Sequence, residues 1–166
     1  ENEGHDIISK CIDKHKVWAP LQTELTIEIL KNSNNFFVDI GSHIGYYSLI
    51  ANALGNEVLS IDKYDNYLNL LRQTINENNL KDIEVKTVSI DDINSKNQIK
   101  VNKNIKLLKI SLNGNELVAY NIYKKLFKSK KIENAFIAIH PKKNNGYIFM
   151  CKMLHKYGYK ISNIGI

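Results

Sequence analysis

The sequence predicts an α/β fold, a doubly wound and mostly parallel sheet with helices on both faces. Short apolar runs alternate with segments whose apolar residues recur at helical spacing, which is typical of strand–helix–strand units. The run 36–40 (FFVDI) leads into a loop with glycines at 41 and 45, and the run 58–61 ends in Asp62. With 166 residues and 43% hydrophobic composition, the chain can bury one core. We expect one domain over 1–166, with an N-terminal helical region in 1–35 and the sheet in 36–166.

The first half of the predicted fold alternates helices and strands. Residues 21–30 carry apolar side chains at helical spacing and predict a helix over the first strand, 36–40. The glycine loop then leads into a helix at 46–54. The second strand, 58–61, is followed by a helix at 66–78 whose leucines share one face.

The second half continues the alternation through one ambiguous turn. The run 83–88 alternates as a third strand, and 105–110 (IKLLKI) predicts a fourth. Asn113 and Gly114 then form a strong hairpin signal. The following apolar residues recur at helical spacing, which favours a tight loop and a helix at 117–127.

The last predicted elements are a fifth strand, a helix and a possible sixth strand. The run 135–139 (AFIAI) predicts a fifth strand, ended by Pro141, which cannot donate to a central ladder. A helix follows at 147–157, and 159–164 could form a sixth strand. No residues remain for a final antiparallel strand, so we expect an exposed sheet edge that contacts a second copy or a parent protein.

Charge is distributed unevenly along this chain of net charge +6. Residues 1–95 contain 8 Lys and Arg against 15 Asp and Glu, whereas residues 96–166 contain 15 Lys and only two acids, Glu116 and Glu133. A basic half attracts phosphates, so RNA or another acidic partner is one expectation. The alternative is a solvated lysine face in a protein of biased composition.

The sequence contains no membrane or secretion signal. No apolar segment has the length of a membrane helix, and the N-terminus lacks the pattern of a signal peptide. Cys11 and Cys151 lie far apart in sequence, which indicates free thiols in a reducing compartment. We therefore expect a cytoplasmic protein without a membrane partner. Because the chain does not begin with Met, we also expect a piece of a longer protein.

The glycine loop indicates which ligand binds. Asp39, Gly41 and Gly45 form D-x-G-x-x-x-G, whereas a dinucleotide site has G-x-G-x-x-G. This form resembles motif I of the S-adenosylmethionine-dependent methyltransferases, and Asp62 at the end of the next strand strengthens the resemblance. An acid in that position is placed to accept hydrogen bonds from ribose hydroxyls.

The longer segment FVDIGSHIGYYSL resembles the FkbM-type methyltransferases, whose pattern is F-x-D-x-G-A-x-x-G-x-Y-S. KISLNGNE at 109–116 is similar to the family's Lys-Ile-Asp-x-Glu-Gly-x-Glu block, and AIHP at 138–141 to its E-x-H-P. The likeness covers roughly residues 17–160. It implies a Rossmann-like methyltransferase fold and S-adenosylmethionine as the cofactor.

Three departures from the family pattern remove carboxylates from the carboxyl edge of the sheet. Ser111, Asn113 and Ala138 stand where the family has acids. Transfer of a methyl group to a hydroxyl gains from a general base, and carboxylates are natural candidates. Hard divalent cations need several oxygen ligands, and the end of the fourth strand offers only Ser111 and Asn113. We therefore expect no metal site.

The resemblance implies cofactor contacts at the loop and at the strand ends. Asp39 is expected to orient the loop or contact the methionine end of the cofactor, with helix capping as the alternative. Asp62 is expected to hold the ribose hydroxyls, and the residues after the third strand to contact the adenine. The complete expected set is Asp39, Gly41, Ser42, His43, Gly45, Asp62, Lys63, Ser89, Ile90, Asp91 and Ser111.

Three residues are candidates for catalysis. His140, at the end of the fifth strand, could act as a base because histidine titrates near neutrality, or it could be structural. Lys109 and Glu116 occupy motif positions and could equally support the loop through an ion pair.

The sequence supports three hypotheses about function. The first is a methyltransferase that methylates a hydroxyl of a small molecule or sugar. The second is a degenerate methyltransferase domain that serves as a binding or structural module of a larger protein. The third, which follows from the basic half of the chain, is an RNA methyltransferase.

Overall fold

The computed structural model describes residues 7–32, 34–90, 100–139 and 146–164 of the chain. Within these residues, six helices and five strands form an α/β fold, which confirms the predicted fold class. In chain order they are α1 (Ile7–His15), α2 (Pro20–Leu30), β1 (Phe36–Ile40), α3 (Tyr46–Ala53), β2 (Glu57–Asp62), α4 (Asp65–Glu77), β3 (Ile83–Thr87), β4 (Ile105–Ile110), α5 (Glu116–Lys128), β5 (Ile132–Ile137) and α6 (Tyr147–Lys156).

The five strands form one parallel sheet in the order β3-β2-β1-β4-β5. β1 lies at its centre and pairs with β2 on one side and β4 on the other. After β1, the chain adds β2 and β3 on one side of the sheet. It then crosses to the other side of β1 and adds β4 and β5, so the direction of strand addition reverses between β1 and β4. In open sheets of this kind, ligands bind outside the carboxyl ends of the strands at such a reversal.

Two apolar clusters cover the two faces of the sheet. Alternate residues of β1 face opposite sides, so Phe37 packs with α2 and α3, whereas Val38 and Ile40 pack with α5 and α6. The α5–α6 side contains the large buried side chains Tyr120 and Phe127. Helices on both faces explain why the central strands are almost entirely apolar.

Most predicted elements agree with the structure, and the turn at Asn113 is a tight loop before a helix, as predicted. The fifth strand begins and ends earlier than predicted, at Ile132 and Ile137. The sixth strand predicted at 159–164 is wrong, since these residues form no strand. The hydroxyl of Tyr159 donates instead to the carbonyl oxygens of Phe127 and Ile132, which holds this segment against the end of α5.

Other expectations about the chain as a whole have a more limited outcome. The division into 1–35 and 36–166 and the contact at the sheet edge stay predictions. In the described residues, β5 is the last strand on its side of the sheet. No helix there has the length and apolar character needed to cross a bilayer. Cys11 and Cys151 are free thiols.

The glycine loop passes through a narrow space between the ends of β2 and β4. The N–H groups of Gly41 and Ser42 both donate to the carbonyl oxygen of Ile61, at 2.8 and 3.1 Å. Gly41 has a φ of +75°, and a Cβ there would lie 1.8 Å from the carbonyl oxygen of Ser111. Any side chain at this position would separate β1 from β4.

Gly41→Ala should destabilise the fold well beyond the cost of a left-handed alanine, which is about 1–2 kcal/mol. Gly158→Ala is the matched control, since Gly158 has a φ of +81° but a Cβ there meets only the flexible end of Lys130, at 3.0 Å. Urea unfolding measures both free energies. Equal losses for the two variants would contradict the close approach between Gly41 and Ser111.

Candidate cofactor site

The site begins with a buried ion pair below the glycine loop. Asp39 and Lys109 are neighbours in the register of β1 and β4, and the Lys109 Nζ lies 2.8 Å from Asp39 Oδ1. Asp39 is fully buried and Lys109 is 7% exposed. The same Nζ donates to the carbonyl oxygen of Gly41 at 3.2 Å. The pair therefore connects the two central strands to the first residue of the loop.

The second oxygen of Asp39 has its own internal partner. Ser48 Oγ, on α3, donates to Asp39 Oδ2 at 2.9 Å, and Ser60 Oγ of β2 donates to Ser48 Oγ at 2.6 Å. No side-chain hydrogen bond caps α3, whose N-cap residue is Gly45. Of the roles expected for Asp39, these contacts favour orientation of the loop over contact with a ligand or helix capping.

Tyr47 closes the space beside the ion pair. Lys109 Nζ lies 5.3 Å from the centre of the Tyr47 ring, a distance typical of a cation–π contact. Burial raises the pKa of the Tyr47 hydroxyl above its ordinary value. The hydroxyl is therefore neutral at physiological pH, and Asp39 supplies the negative charge that balances Lys109.

Asp62 lies at the carboxyl end of β2 and faces the glycine loop. Its Oδ2 accepts the N–H of His43 at 2.9 Å, and its Oδ1 accepts the N–H of Tyr64 at 3.0 Å. Asp62 is 7% exposed. A carboxylate has about four lone-pair positions, so two remain for a ligand after these bonds. Asp62 both fixes the loop and retains acceptor capacity.

A cavity of about 520 Å³ opens at this edge of the sheet. Six residues of the expected cofactor set line it: Gly41, His43, Asp62, Lys63, Ile90 and Ser111. Asp39, Ser42, Gly45 and Ser89 do not line it. Asp91 lies outside the described residues. The loop, the end of β2 and the end of β4 therefore meet around one cavity, as the topology predicts.

The wall beside Asp62 contains aromatic residues that the sequence analysis missed. The rings of His43 and Tyr67 are 3.9 Å apart between centres, at 43°. Tyr64 meets Tyr67 edge to face at 5.8 Å, and Lys63 Nζ lies 5.0 Å from the Tyr64 ring centre. Both tyrosines line the cavity. Their only sequence signal is that they follow Asp62 within one and a half helical turns.

The loop after β4 forms the opposite wall, and of its lining residues only Ser111 belongs to the expected cofactor set. Leu112, Asn113 and Asn115 line the cavity, as does Ile8 of α1. Glu116 is fully buried, and its carboxylate accepts the N–H groups of Leu112 and Gly114 at 3.0 and 3.1 Å. These bonds hold the short loop at the start of α5.

The three expected catalytic residues have different positions. Lys109 and Glu116 do not line the cavity, and both make internal contacts that support the adjacent loops. These contacts agree with the alternative interpretation, loop support, and a role in catalysis stays a prediction for both residues. For Glu116 the partners within the described segments include the backbone N–H groups of Leu112 and Gly114. His140 lies outside the described residues.

Comparison with known proteins shows what this arrangement belongs to. The family model of the tellurite resistance protein TehB matches residues 13–122, about two thirds of the chain. The chain belongs to the TehB family. The match includes the ion pair, the glycine loop, Asp62 and the loop that Glu116 holds. No curated protein matches the chain.

Solved structures share the fold at low sequence identity. TehB from Haemophilus influenzae is 22% identical with a TM-score of 0.53, over 75% of this chain and 41% of that one. SMU.1697c, a candidate methyltransferase from Streptococcus mutans in complex with SAH, is 17% identical, with a TM-score of 0.59 over 82% of both chains. An rRNA methylase from Streptococcus thermophilus is 14% identical, with a TM-score of 0.58 over 80% of this chain and 76% of that one.

The family match and the shared fold identify a class I S-adenosylmethionine-dependent methyltransferase domain. This confirms the broader resemblance, to S-adenosylmethionine-dependent methyltransferases. The narrower resemblance, to the FkbM family, is not supported. Two of the three segments on which that assignment depended, FVDIGSHIGYYSL and KISLNGNE, lie within the residues that the TehB model matches.

Lys109→Met should reduce the free energy of unfolding by about 3–5 kcal/mol, because it leaves the Asp39 carboxylate buried without a counter-charge. Lys106→Met is the matched control on the same strand, since Lys106 pairs with Glu133 at 2.7 Å near the surface. Loss of such a surface pair costs about 1 kcal/mol or less. Denaturant unfolding compares the two variants.

The double variant Asp39→Asn with Lys109→Met removes both charges and should recover part of the stability that Lys109→Met loses. A double variant that is as unstable as the sum of its two single variants would show that the two charges do not depend on each other.

Proposed function

We propose that the chain transfers a methyl group from S-adenosylmethionine to a hydroxyl oxygen of a small molecule or sugar. S-adenosylmethionine is the cofactor that the family and the structural neighbours support. The observation that carries the proposal is the position of Asp62, whose carboxylate lies beside the glycine loop in the cavity and retains lone pairs for a ribose.

The residues on the two sides of the cavity differ in chemical character, which suggests a different ligand for each side. Beside Asp62, Ile90 and Tyr64 present apolar and aromatic surface suited to a purine. Across the cavity, Ser111, Asn113 and Asn115 present neutral polar groups that can hydrogen-bond to an acceptor. The proposal assigns the nucleoside to the first side and the acceptor to the second.

The chemistry places modest demands on the chain. S-adenosylmethionine supplies a methyl group on a sulfonium centre. In the transfer, the acceptor oxygen would form a bond to that methyl group as the carbon–sulfur bond breaks and leaves its electron pair on sulfur. The hydroxyl proton would pass to a base or to water. Holding two reactants in line can supply much of the rate. Asp62 is the only carboxylate among the described residues that line the cavity, and it is assigned to the ribose.

His140 remains our proposed base. Its imidazole would accept the hydroxyl proton near neutral pH, where histidine titrates. The position AIHP, directly after β5, supports this assignment, because the carboxyl end of β5 is at the same edge of the sheet as the cavity.

Other acceptors and roles remain part of the proposal as alternatives. The description of the family names tellurite resistance, which makes tellurite a second acceptor to test. RNA is a third, supported by the basic half of the chain. The absence of charged groups on the proposed acceptor side of the cavity, within the described residues, supports a degenerate domain that binds the cofactor without transferring its methyl group. The cytoplasmic location and the contact at the sheet edge are also proposals.

Asp62→Asn should weaken the binding of S-adenosylmethionine and of its demethylated product by about 1.5–3 kcal/mol, because a charge-assisted hydrogen bond to the ribose is lost. Asp65→Asn is the matched control, since Asp65 is an exposed acid three residues later that contacts Arg72 and Thr87 outside the cavity. Isothermal titration calorimetry measures both affinities. Wild-type protein that binds neither ligand at millimolar concentration would contradict the proposed function.

Production of the demethylated cofactor should depend on an added acceptor. A panel of sugars, small alcohols and phenols, tellurite and RNA, assayed by mass spectrometry, identifies the acceptor class. His140→Gln should lower the rate and remove its rise near neutral pH, while the affinity for the cofactor stays unchanged. Tight cofactor binding with no transfer to any acceptor would favour the degenerate module.

A further inference from the structure

A group of lysines lies on the helices that cover one face of the sheet. We call it the lysine face; its members are on the second half of α5, in the turn before β5, on α6 and just after α6. All seven are exposed: Lys125, Lys128, Lys130, Lys131, Lys152, Lys156 and Lys160. α5 and α6 pack against each other, so these positions belong to one surface.

The segments that carry the lysine face are poor in acids, since the one acid between them, Glu133, pairs with Lys106. Residues 117–132 and 134–166 contain no Asp or Glu. Several lysines on other surfaces have acidic partners, as in Lys31–Glu28 at 2.6 Å and Lys106–Glu133 at 2.7 Å. Across the described segments, no ion pair includes a lysine of this face. Within the described segments, its positive charge is therefore not neutralised by ion pairs.

Much of the lysine face lies at the opposite end of the sheet from the cofactor cavity. The carbonyl oxygen of Lys131 accepts the N–H of Ile105, the first residue of β4, at 2.7 Å. Tyr159, next to Lys160, contacts the end of α5 and the first residue of β5. The cavity lies at the carboxyl ends of the strands, and a six-residue strand is about 20 Å long. The two sites can be occupied independently.

We propose that the lysine face binds the phosphate backbone of single-stranded RNA. Lysines are flexible point charges that suit phosphates without a fixed bidentate geometry. Aromatic groups lie among them, since Lys130 Nζ is 4.5 Å from the centre of the Tyr159 ring and Phe149, one turn before Lys152, is 53% exposed. Basic surfaces with aromatic side chains bind single strands through phosphates and base stacking. The inference does not depend on methyl transfer.

The test measures the binding of a fluorescein-labelled 20-nucleotide single-stranded RNA by fluorescence anisotropy at several KCl concentrations, without S-adenosylmethionine. The quadruple variant Lys125→Gln, Lys128→Gln, Lys152→Gln and Lys156→Gln removes four charges from the lysine face. We expect the affinity at low salt to fall about tenfold or more. The slope of log affinity against log salt should shrink by about 3, since each phosphate contact on a single strand contributes about 0.7.

The matched control removes four exposed lysines from other surfaces, namely Lys14, Lys16, Lys31 and Lys81, each replaced by Gln. It has the same net charge as the first variant and should keep most of the wild-type affinity. Circular dichroism and thermal unfolding compare the folding of all three proteins. Equal losses in the two variants would reduce the effect to net charge and overturn the proposal.

Two further outcomes would also overturn it. The wild-type protein could fail to bind RNA at 50 mM KCl. Alternatively, a poly-glutamate peptide of equal charge could compete as well as unlabelled RNA, which would assign the lysine face to an acidic protein.

Discussion

The ion pair between Asp39 and Lys109 joins the two central strands directly below the glycine loop. Both side chains project toward α3, where Ser48 and Tyr47 complete their surroundings. Two charges buried in an apolar layer are expensive unless each satisfies the other and the nearby polar groups. Here the carboxylate has two donors, and the ammonium reaches the carbonyl oxygen of Gly41. Because both charges keep these partners only when β1, β4 and the loop are placed as they are, the ion pair fixes that arrangement.

The candidate cofactor site depends on that arrangement through a series of backbone contacts. Gly41 passes close to Ser111, and its N–H donates to the end of β2. The loop then brings the N–H of His43 to Asp62, so the acid is held by the loop it faces. Across the cavity, the Glu116 carboxylate holds the loop after β4 in the same way, by accepting its backbone N–H groups. Two internal carboxylates shape the loops, and Asp62 shapes a loop while it retains acceptor positions for a ligand.

The sequence predicted the parts of the fold that depend on local pattern. β1 and β4 have the predicted bounds because buried parallel strands are continuous apolar runs. The edge strand β5 is half-exposed, so its pattern is weaker and its predicted bounds were shifted. The segment 159–164, predicted as a strand, forms none, and the Tyr159 hydroxyl binds the end of α5 instead. In the site, the roles of Gly41 and Asp62 could be predicted from the spacing of the motif. The position of Tyr67 in the cavity wall depends on how α4 is rotated about its own axis, which no motif encodes.

We propose that the loop above the Asp39–Lys109 pair, together with Asp62, holds the nucleoside of the cofactor. A crystal structure of the protein with S-adenosylhomocysteine would show where the nucleoside lies. We expect the ribose hydroxyls within hydrogen-bond distance of the Asp62 carboxylate and the adenine beside Ile90, with Asp39 and Lys109 still paired and without direct ligand contact. A ribose bound away from Asp62, or a ligand held directly by Asp39, would contradict it.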